Sequence, residues 1–246
     1  MKIKACAYTI IFASLILFST SGCKKADRSN TNDNAPIIFN SGLTYGSLTD
    51  QSGNTYKTIT ISTQTWMAEN LRTTKFRNGD AIPNVSDGNS WKNQTSAASC
   101  DLNNNSNNSK YYGKLYNFYT ITDSRNIAPT GWHIATTDEW NTMVNYLGGW
   151  SFAGDKLKEM GTTHWADPNS SATNSTGFTA LPGSSRNDDG SWGANGIIGL
   201  YGTWWSNSGS ATTLYSWNMD YNTANVVSSF VNYNTNGYAV RCVKDN

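Results

Sequence analysis

The sequence offers few side chains of the types that catalyse reactions. Its two histidines, His133 and His164, have neither a Gly-x-Ser-x-Gly nor a His-Glu-x-x-His motif to give them a catalytic role. His133 has apolar neighbours on both sides, which favours a packed, hydrogen-bonded imidazole, and we interpret His164 in the same way. The pair Asp188-Asp189 lacks the alternating carboxylates of an EF-hand loop and is typical of a solvated turn. We therefore expect no enzymatic activity, cofactor or metal centre. The alternative is a calcium ion held by the oxygen atoms of this turn, although no sequence feature places it.

A polar and aromatic composition near the carboxyl end is typical of binding surfaces instead. Between residues 201 and 238, 23 of 38 residues are Asn, Tyr, Ser or Thr. Aromatic rings give contact area at low entropic cost, and amides give directional hydrogen bonds. We expect ligand contacts from two runs of this region: Trp217, Asn218, Tyr221, Asn222, Asn232, Tyr233 and Asn234. The alternative is that the runs are ordinary polar faces of exposed hairpins; for Trp204 and Trp205 we favour a place in the core.

The amino terminus has the form of an export signal. Lys2 and Lys4 precede an apolar run over residues 5–18, which is too short for a comfortable membrane span, and small residues then lead to Cys23. We interpret residues 1–22 as a signal peptide and Cys23 as the lipidated first residue of a lipoprotein, anchored in the outer membrane and facing the periplasm or the cell surface. The alternative is cleavage elsewhere, which gives a soluble secreted form.

Removing this segment changes both the charge and the cysteine count. Loss of Lys2 and Lys4 lowers the formal net charge from +1 to −1, so the module lacks the basic footprint of a nucleic-acid-binding protein. Cys6 leaves with the signal, and the folded part keeps Cys100 and Cys242. Two thiols in an oxidising compartment most simply pair, so we expect a Cys100–Cys242 disulfide; the alternative is two free thiols, one of them buried.

The remaining chain divides into a tether and one domain. Residues 23–46 are rich in Asn, Ser, Thr and Asp, with one apolar patch at 37–39, and we interpret them as a polar tether. Residues 47–246 are long enough to bury one sizeable core, and we expect a monomer.

A short helix near the middle of the domain is the clearest predicted element. Thr136 followed three residues later by Glu139 has the form of a capping box, which predicts a helix start. An apolar face then follows at helical spacing, and Gly148-Gly149 supplies the stop. The members of that face are Trp140, Met143, Val144 and Leu147. Before the helix, Trp132 and Ile134 alternate with other residues as in a strand.

Weaker signals outline the rest of the domain. A turn at residues 50–54 before an alternating run predicts an opening hairpin. The spacing of apolar residues over 115–122 favours a short helix, and the alternative is a strand through Tyr116 and Phe118. Residues 154–160 predict a second small helix with Leu157 and Met160 facing inward. Short apolar pairs between Gly, Asn and Ser clusters follow, which is typical of many short strands. We expect an α+β fold in which two or three short helices flank twisted antiparallel sheet with long loops, and the first and last strands lie near one another.

Several segments resemble a known family in their order along the chain. The central run Gly-Trp-His-x-x-Thr-x-x-Glu-Trp resembles the signature of the Fibrobacter succinogenes major paralogous domain, a family of secreted bacterial modules, although Ala135 stands where Pro is usual. The signature residues here are Trp132, His133, Thr136, Glu139 and Trp140. Other matching segments are residues 49–56, 64–71, 112–117, 177–183, 204–206 and 240–243.

This resemblance implies both a fold and a function. The family is distantly similar to formylglycine-generating enzymes, which implies a C-type-lectin-like fold, but the active-site cysteine pair of those enzymes is missing here, so their activity should be absent. We expect an envelope lipoprotein that binds glycan or protein ligands non-covalently, compatible with use as a diversified binding scaffold. The alternatives are an enzyme acting on envelope polysaccharide and a purely structural surface protein.

Overall fold

The computed structural model describes residues 35–210, 212–232 and 235–246, with residue 195 described by its backbone alone. The predicted signal peptide, lipidated Cys23 and the predicted ligand residues Tyr233 and Asn234 lie outside these ranges. Within them, no helix is both long and apolar enough to cross a membrane.

Eleven short strands and five short helices make up the described chain, in line with the expected α+β class. The strands are β1 (Gly46–Thr49), β2 (Thr55–Ile61), β3 (Gln64–Met67), β4 (Ser99–Asp101), β5 (Lys114–Asn117), β6 (Trp132–Ile134), β7 (Tyr201–Ser210), β8 (Thr213–Asp220), β9 (Val226–Val231), β10 (Gly237–Tyr238) and β11 (Cys242–Lys244). The helices are α1 (Gly88–Lys92), α2 (Ser106–Tyr112), α3 (Phe118–Ile121), α4 (Thr137–Tyr146) and α5 (Ala153–Leu157), with 3-10 turns at Leu102–Asn104 and Gly193–Gly196.

The strands form three antiparallel sheets. The largest has the order β1-β2-β3-β11-β6, so the first and last strands share one sheet, as expected. The predicted opening hairpin is its β1–β2 pair, in which Leu48 lies opposite Tyr56. The other sheets have three strands each, in the orders β10-β5-β4 and β7-β8-β9.

Two hydrophobic clusters lie on opposite faces of the five-stranded sheet and of the β7–β9 sheet. Successive side chains of a strand point to opposite faces of the sheet, so adjacent residues of one strand pack in different clusters. Trp66 belongs to the first cluster and Met67 to the second, and in β7 Trp204 and Trp205 divide in the same way. Both of these β7 tryptophans are fully buried, so their predicted core position is confirmed.

Helix α4 forms as the sequence predicts. Thr136 is its N-cap, and the reciprocal capping box with Glu139 is present. All four residues of its predicted apolar face are buried. Gly148 and Gly149 both have left-handed backbone conformations, with φ of +101° and +93°, which end the helix.

Three local expectations need correction. Residues 114–117 are strand β5, and the expected helix near residue 115 is confined to α3, because Leu115 pairs with Cys100 across the β4–β5 ladder. Helix α5 ends at Leu157, where Lys158 becomes extended. Leu157 is buried as expected, but Met160 is 56% exposed because the chain no longer follows a helical period there.

The predicted Cys100–Cys242 disulfide is wrong for this structure. Both cysteines are free thiols, and both are fully buried. Cys100 belongs to the first hydrophobic cluster and Cys242 to the second, so packing holds the two side chains apart. Burial also raises the pKa of the Cys100 thiol to about 12, which leaves it protonated at neutral pH.

The described end of the predicted tether packs against the domain. Ile37, Phe39, Leu43 and Tyr45 are partly buried against the first cluster. The backbone N–H of Ile38 donates to a carboxylate oxygen of the buried Glu159 at 2.7 Å. The apolar side chains in this stretch therefore give residues 35–46 a fixed place that their polar neighbours alone would not.

Candidate functional site

Charged residues around the first turn of helix α4 are joined by hydrogen bonds. One carboxylate oxygen of Glu139 accepts from the backbone N–H and the hydroxyl of Thr136, each at 2.8 Å. The other lies 2.7 Å from His133 Nε2, while His133 Nδ1 lies 2.6 Å from Asp245. The hydrogen bond to Glu139, joined by that to Asp245, raises the pKa of His133 to about 9, although burial opposes the shift. The charged imidazole of His133 in strand β6 thus connects helix α4 with Asp245 near the carboxyl terminus.

The side chain of His164 is packed inside the fold. It is fully buried, with Nδ1 2.7 Å from Glu159 and Nε2 3.0 Å from the carbonyl oxygen of Ala35. Both ring nitrogens are therefore engaged inside the fold.

A buried arginine connects three of the segments that carry the family resemblance. Arg241 is 1% exposed, and its Nε donates to Asn70 Oδ1 at 2.6 Å. Trp204 Nε1 donates to the same amide oxygen at 2.8 Å. The guanidinium also donates to three backbone carbonyls, those of Met67, Phe178 and Thr179. We call Asn70, Trp204, Arg241 and these carbonyls the signature network.

A stack of three indole rings leads from this core to the surface. Trp140 stacks on Trp217 with an interplanar angle of 12° and ring centroids 5.2 Å apart. Trp217 stacks in turn on Trp150, at 9° and 4.9 Å. Trp140 and Trp217 are fully buried, but Trp150 is 39% exposed. Since Trp217 covers one face of the Trp150 ring, the exposed surface lies on its other face and its edge.

The loop that carries Trp150 is fastened to the β8–β9 turn. The backbone N–H of Val226 donates to the Trp150 carbonyl at 2.8 Å, and Gly154 N–H donates to the Ala224 carbonyl at 2.9 Å. A Cβ at position 154 would lie 2.5 Å from that carbonyl oxygen, so only glycine permits this approach. These contacts fix Trp150 in place before any ligand arrives.

Lys158 also holds the β8–β9 turn in place. Its ammonium group donates to the carbonyls of Asp220 and Thr223 at 3.0 and 2.8 Å. Burial lowers the pKa of Lys158 to about 8. The amine is therefore committed to positioning the β8–β9 turn.

A surface cavity of about 330 Å³ opens in front of Trp150. Six uncharged residues line it: Trp150, Ser151, Asn225, Val226, Val227 and Ser228. We call this cavity and its lining the Trp150 ledge. In the described part of the chain, the side chains of Ser151, Asn225 and Ser228 make no hydrogen bond to protein, so they are available to a ligand.

Three further cavities share lining residues with one another. One of about 680 Å³ is bordered by Phe152, and it shares Leu147 and Lys156 with a cavity of about 420 Å³ beside Tyr146. It shares Thr173 with a third of about 350 Å³. Among the described residues, six of the seven exposed large apolar side chains line these four cavities: Ile38, Tyr146, Trp150, Phe152, Met160 and Val227. We call the lining of these four cavities the cavity rim.

The described ligand residues expected from the sequence do not form one site. Trp217 has no exposed surface, so the expectation that its ring contacts a ligand is wrong for this structure. Asn218 lies on the opposite face of β8 and accepts from Thr203 Oγ1 at 2.8 Å. Tyr221 and Asn222 follow the end of β8, whereas Asn232 lies beside Thr213 at its beginning, and eight strand residues span about 23 Å.

Trp150 is the residue that sequence reasoning missed. It directly follows the glycines that end helix α4, and Phe152 lies two residues further on. Two aromatic side chains in a short loop, outside any helical or strand period, are a usable signal of surface exposure. The partner that completes the ledge, residues 225–228, is distant in sequence and gave no such signal.

A comparison with known families covers most of the chain. The family model described as the Fibrobacter succinogenes major domain matches residues 59–244. The chain belongs to this family. No curated protein and no solved structure matches the chain. The matched range contains the signature network, helix α4 and the Trp150 ledge.

No cluster of three or more His, Cys, Asp or Glu side chains suited to a metal ion occurs among the described residues. Asp188 and Asp189 lie in a turn, and Asp189 accepts from the backbone N–H of Ser191 at 2.8 Å.

Proposed function

We propose that this protein is an exported, lipid-anchored envelope module that recognises glycan or protein ligands non-covalently through the cavity rim. The fold we assign to it is of the C-type-lectin-like or formylglycine-generating-enzyme-like kind. The observation that carries the proposal is that, among the described residues, six of the seven exposed large apolar side chains line four cavities. Apolar side chains exposed in cavities, with a few polar groups beside them, are typical of ligand-binding sites.

The arrangement of polar groups also favours binding over catalysis. Both described histidines, His133 and His164, have their ring nitrogens engaged by internal partners. Among the described residues, the one carboxylate that lines the rim is Asp155, whose pKa is raised by burial. Glycoside hydrolysis typically needs two carboxyl groups at a defined separation across a cleft, and the described lining of the rim supplies one. We therefore assign the rim a recognition role.

Export and anchoring complete the proposal. The signal-like amino terminus and Cys23 support a lipid anchor that precedes the domain. Residues 38–41 line one of the rim cavities, so the chain enters the folded domain beside the proposed binding surface. We propose a monomer in which this surface meets ligands of the envelope.

A double substitution in the rim tests the function. Tyr146 and Phe152 are 64% and 61% exposed, so Tyr146→Ser with Phe152→Ser should leave the core intact. The chain is assayed against envelope glycans and envelope proteins, with and without calcium. We expect saturable binding that falls at least tenfold in the double variant.

Phe230→Ser is the matched control, because Phe230 is 67% exposed but lines none of the four cavities. Binding in this variant should equal that of the unchanged chain. Equal binding by the rim variant, or no saturable binding at all, would contradict the proposed function.

A further inference from the structure

We propose that the Trp150 ledge binds one neutral hexopyranose ring of a glycan, with the apolar face of the sugar on the open face of the indole. This inference rests on the proposed recognition function and names its ligand class at one place in the rim. The ring of a hexopyranose has C–H groups on its faces and hydroxyls around its edge. It therefore requires a flat apolar surface bordered by hydrogen-bonding groups.

The indole supplies the flat surface in a fixed orientation. Trp150 stacks on Trp217, which stacks on Trp140, and its backbone carbonyl is bonded to Val226. A ring held in this way loses little conformational entropy when a ligand covers it. The exposed 39% of Trp150 is thus a preformed contact surface.

The edge of the β7–β9 sheet supplies backbone hydrogen-bonding groups beside the indole. β9 is an edge strand of this sheet. The Val226 N–H points away from β8, toward the Trp150 carbonyl. Because alternate residues of an antiparallel strand direct their N–H and C=O groups to the same side, Ser228 directs both of its groups toward the ledge.

Side chains complete the polar border. Ser228 lies opposite Trp217 in the β8–β9 ladder, so its hydroxyl is on the sheet face that carries the indole stack. Ser151 and Asn225 border the same cavity from the two adjoining loops. Hydroxyls and a primary amide can both donate to and accept from sugar hydroxyls.

The absence of charge in the lining selects among sugars. None of the six residues that line the cavity is ionisable. A uronic acid or a sulfated sugar would lose hydration of its anionic group without gaining a cationic partner in the cavity. The ledge therefore favours a neutral sugar over its acidic counterpart.

Binding to the full chain tests the ligand class. The probes are methyl β-D-glucopyranoside, its uronic acid counterpart, and linear hexasaccharides of glucose, galactose and mannose. We expect saturable binding of at least one neutral hexasaccharide. We also expect saturation transfer from protein to the ring C–H protons of the neutral glucoside, weaker for the uronic acid.

Matched substitutions on β9 test the location. Ser228→Tyr would fill the space in front of the indole while leaving the stack intact, and Ser229→Tyr puts the same side chain on the opposite face of the strand. We expect at least a tenfold loss of hexasaccharide affinity with Ser228→Tyr and a change below twofold with Ser229→Tyr. Trp150→Ala should lose at least tenfold as well. If that variant fails to fold, the serine pair decides.

The contrary outcomes distinguish failure of the sugar proposal at the ledge from failure of the proposed recognition by the cavity rim. Unchanged hexasaccharide affinity in Ser228→Tyr would overturn the ledge assignment, and recognition by the rim would stand if Tyr146→Ser/Phe152→Ser lost binding. Binding of the extended peptide Ac-Thr-Val-Thr-Val-Thr-Val-NH2 in place of sugars, abolished by Ser228→Tyr, would identify β9 as a protein-binding edge and overturn the sugar proposal. Failure of all the neutral sugars to bind would also overturn it.

Discussion

The signature network and the Trp150 ledge use the same residue type for opposite purposes. In the network, Trp204 is fully buried and its indole N–H is bonded to Asn70, which Arg241 also contacts. At the ledge, Trp150 makes its defining contact through one ring face and leaves the other open. The buried network joins distant segments of the fold, whereas the proposed ligand contact at Trp150 lies outside the segments that carry the family resemblance. Substitutions in the two regions should therefore separate stability from binding.

The largest effect on stability is expected from Arg241→Met. The change leaves the carbonyls of Met67, Phe178 and Thr179 without the guanidinium in a fully buried setting. Each buried acceptor left unpaired costs about 1–3 kcal/mol, so we expect a loss of about 3–5 kcal/mol in the free energy of unfolding, measured by chemical denaturation.

Arg125→Met is the matched control for this loss. Arg125 is 40% exposed, and its ion pairs with Asp80 and Asp123 lie at the surface. Removing such pairs costs below about 1 kcal/mol. Similar losses in the two variants would show that the signature network does not hold the fold.

A second comparison uses two rings of the indole stack. Trp140→Phe leaves unfilled volume between Trp66, Phe178 and Trp217, and should cost about 2 kcal/mol. Trp150→Phe keeps an aromatic ring at a partly exposed position and should cost below about 0.5 kcal/mol. Denaturation curves measure the difference, and an equal cost would mean that Trp150 belongs to the core.

The first turn of helix α4 should give a smaller effect. Thr136→Ala removes the N-cap hydroxyl, which typically costs about 1 kcal/mol. Thr142→Ala, at an exposed position of the same helix, should change stability by below about 0.5 kcal/mol. Thermal unfolding compares the two, and a neutral Thr136→Ala would remove the capping box from the set of interactions that stabilise the fold.

Local sequence signals predicted the elements whose cause is local. The capping box, the apolar face of α4 and the double glycine lie within about four helical turns, and the structure has all of them. The opening hairpin has the same character. The end of α5 at Leu157 was not predicted, since the apolar spacing continues to Met160 while the backbone does not.

The site was less predictable because it depends on contacts between distant parts of the chain. The ledge requires residue 150 to meet residues 225–228, and composition alone directed attention to neighbouring polar runs. Composition cannot tell which face of β8 is covered, and so it placed Trp217 among the ligand contacts although Trp140 and Trp150 enclose it. The disulfide prediction failed for the same reason, because two distant cysteines pair only if the fold brings their side chains together.

The smallest stability effect is expected at His133, and its sign depends on pH. The pKa of this histidine is raised to about 9 by its hydrogen bonds to Glu139 and Asp245, against an ordinary value near 6.5. Its contribution is fully present below about pH 6.5 and is lost as the pH rises through 9. Because its side chain is 35% exposed, we expect His133→Gln to cost below about 1 kcal/mol at pH 6.

The pH dependence of the stability contribution of His133 distinguishes an electrostatic interaction from packing alone. Urea denaturation of the unchanged chain and of His133→Gln at pH 6, 8 and 10 should give free energies of unfolding whose difference shrinks toward high pH. Glu139→Gln removes the carboxylate that contributes most to the shift and should lower the pKa of His133, which NMR titration of the ring measures. A difference independent of pH would mean that the imidazole stabilises the strand-to-helix junction by its volume alone. In that case, the acidic pair around His133 would have no electrostatic part in positioning the helix from which the indole stack begins.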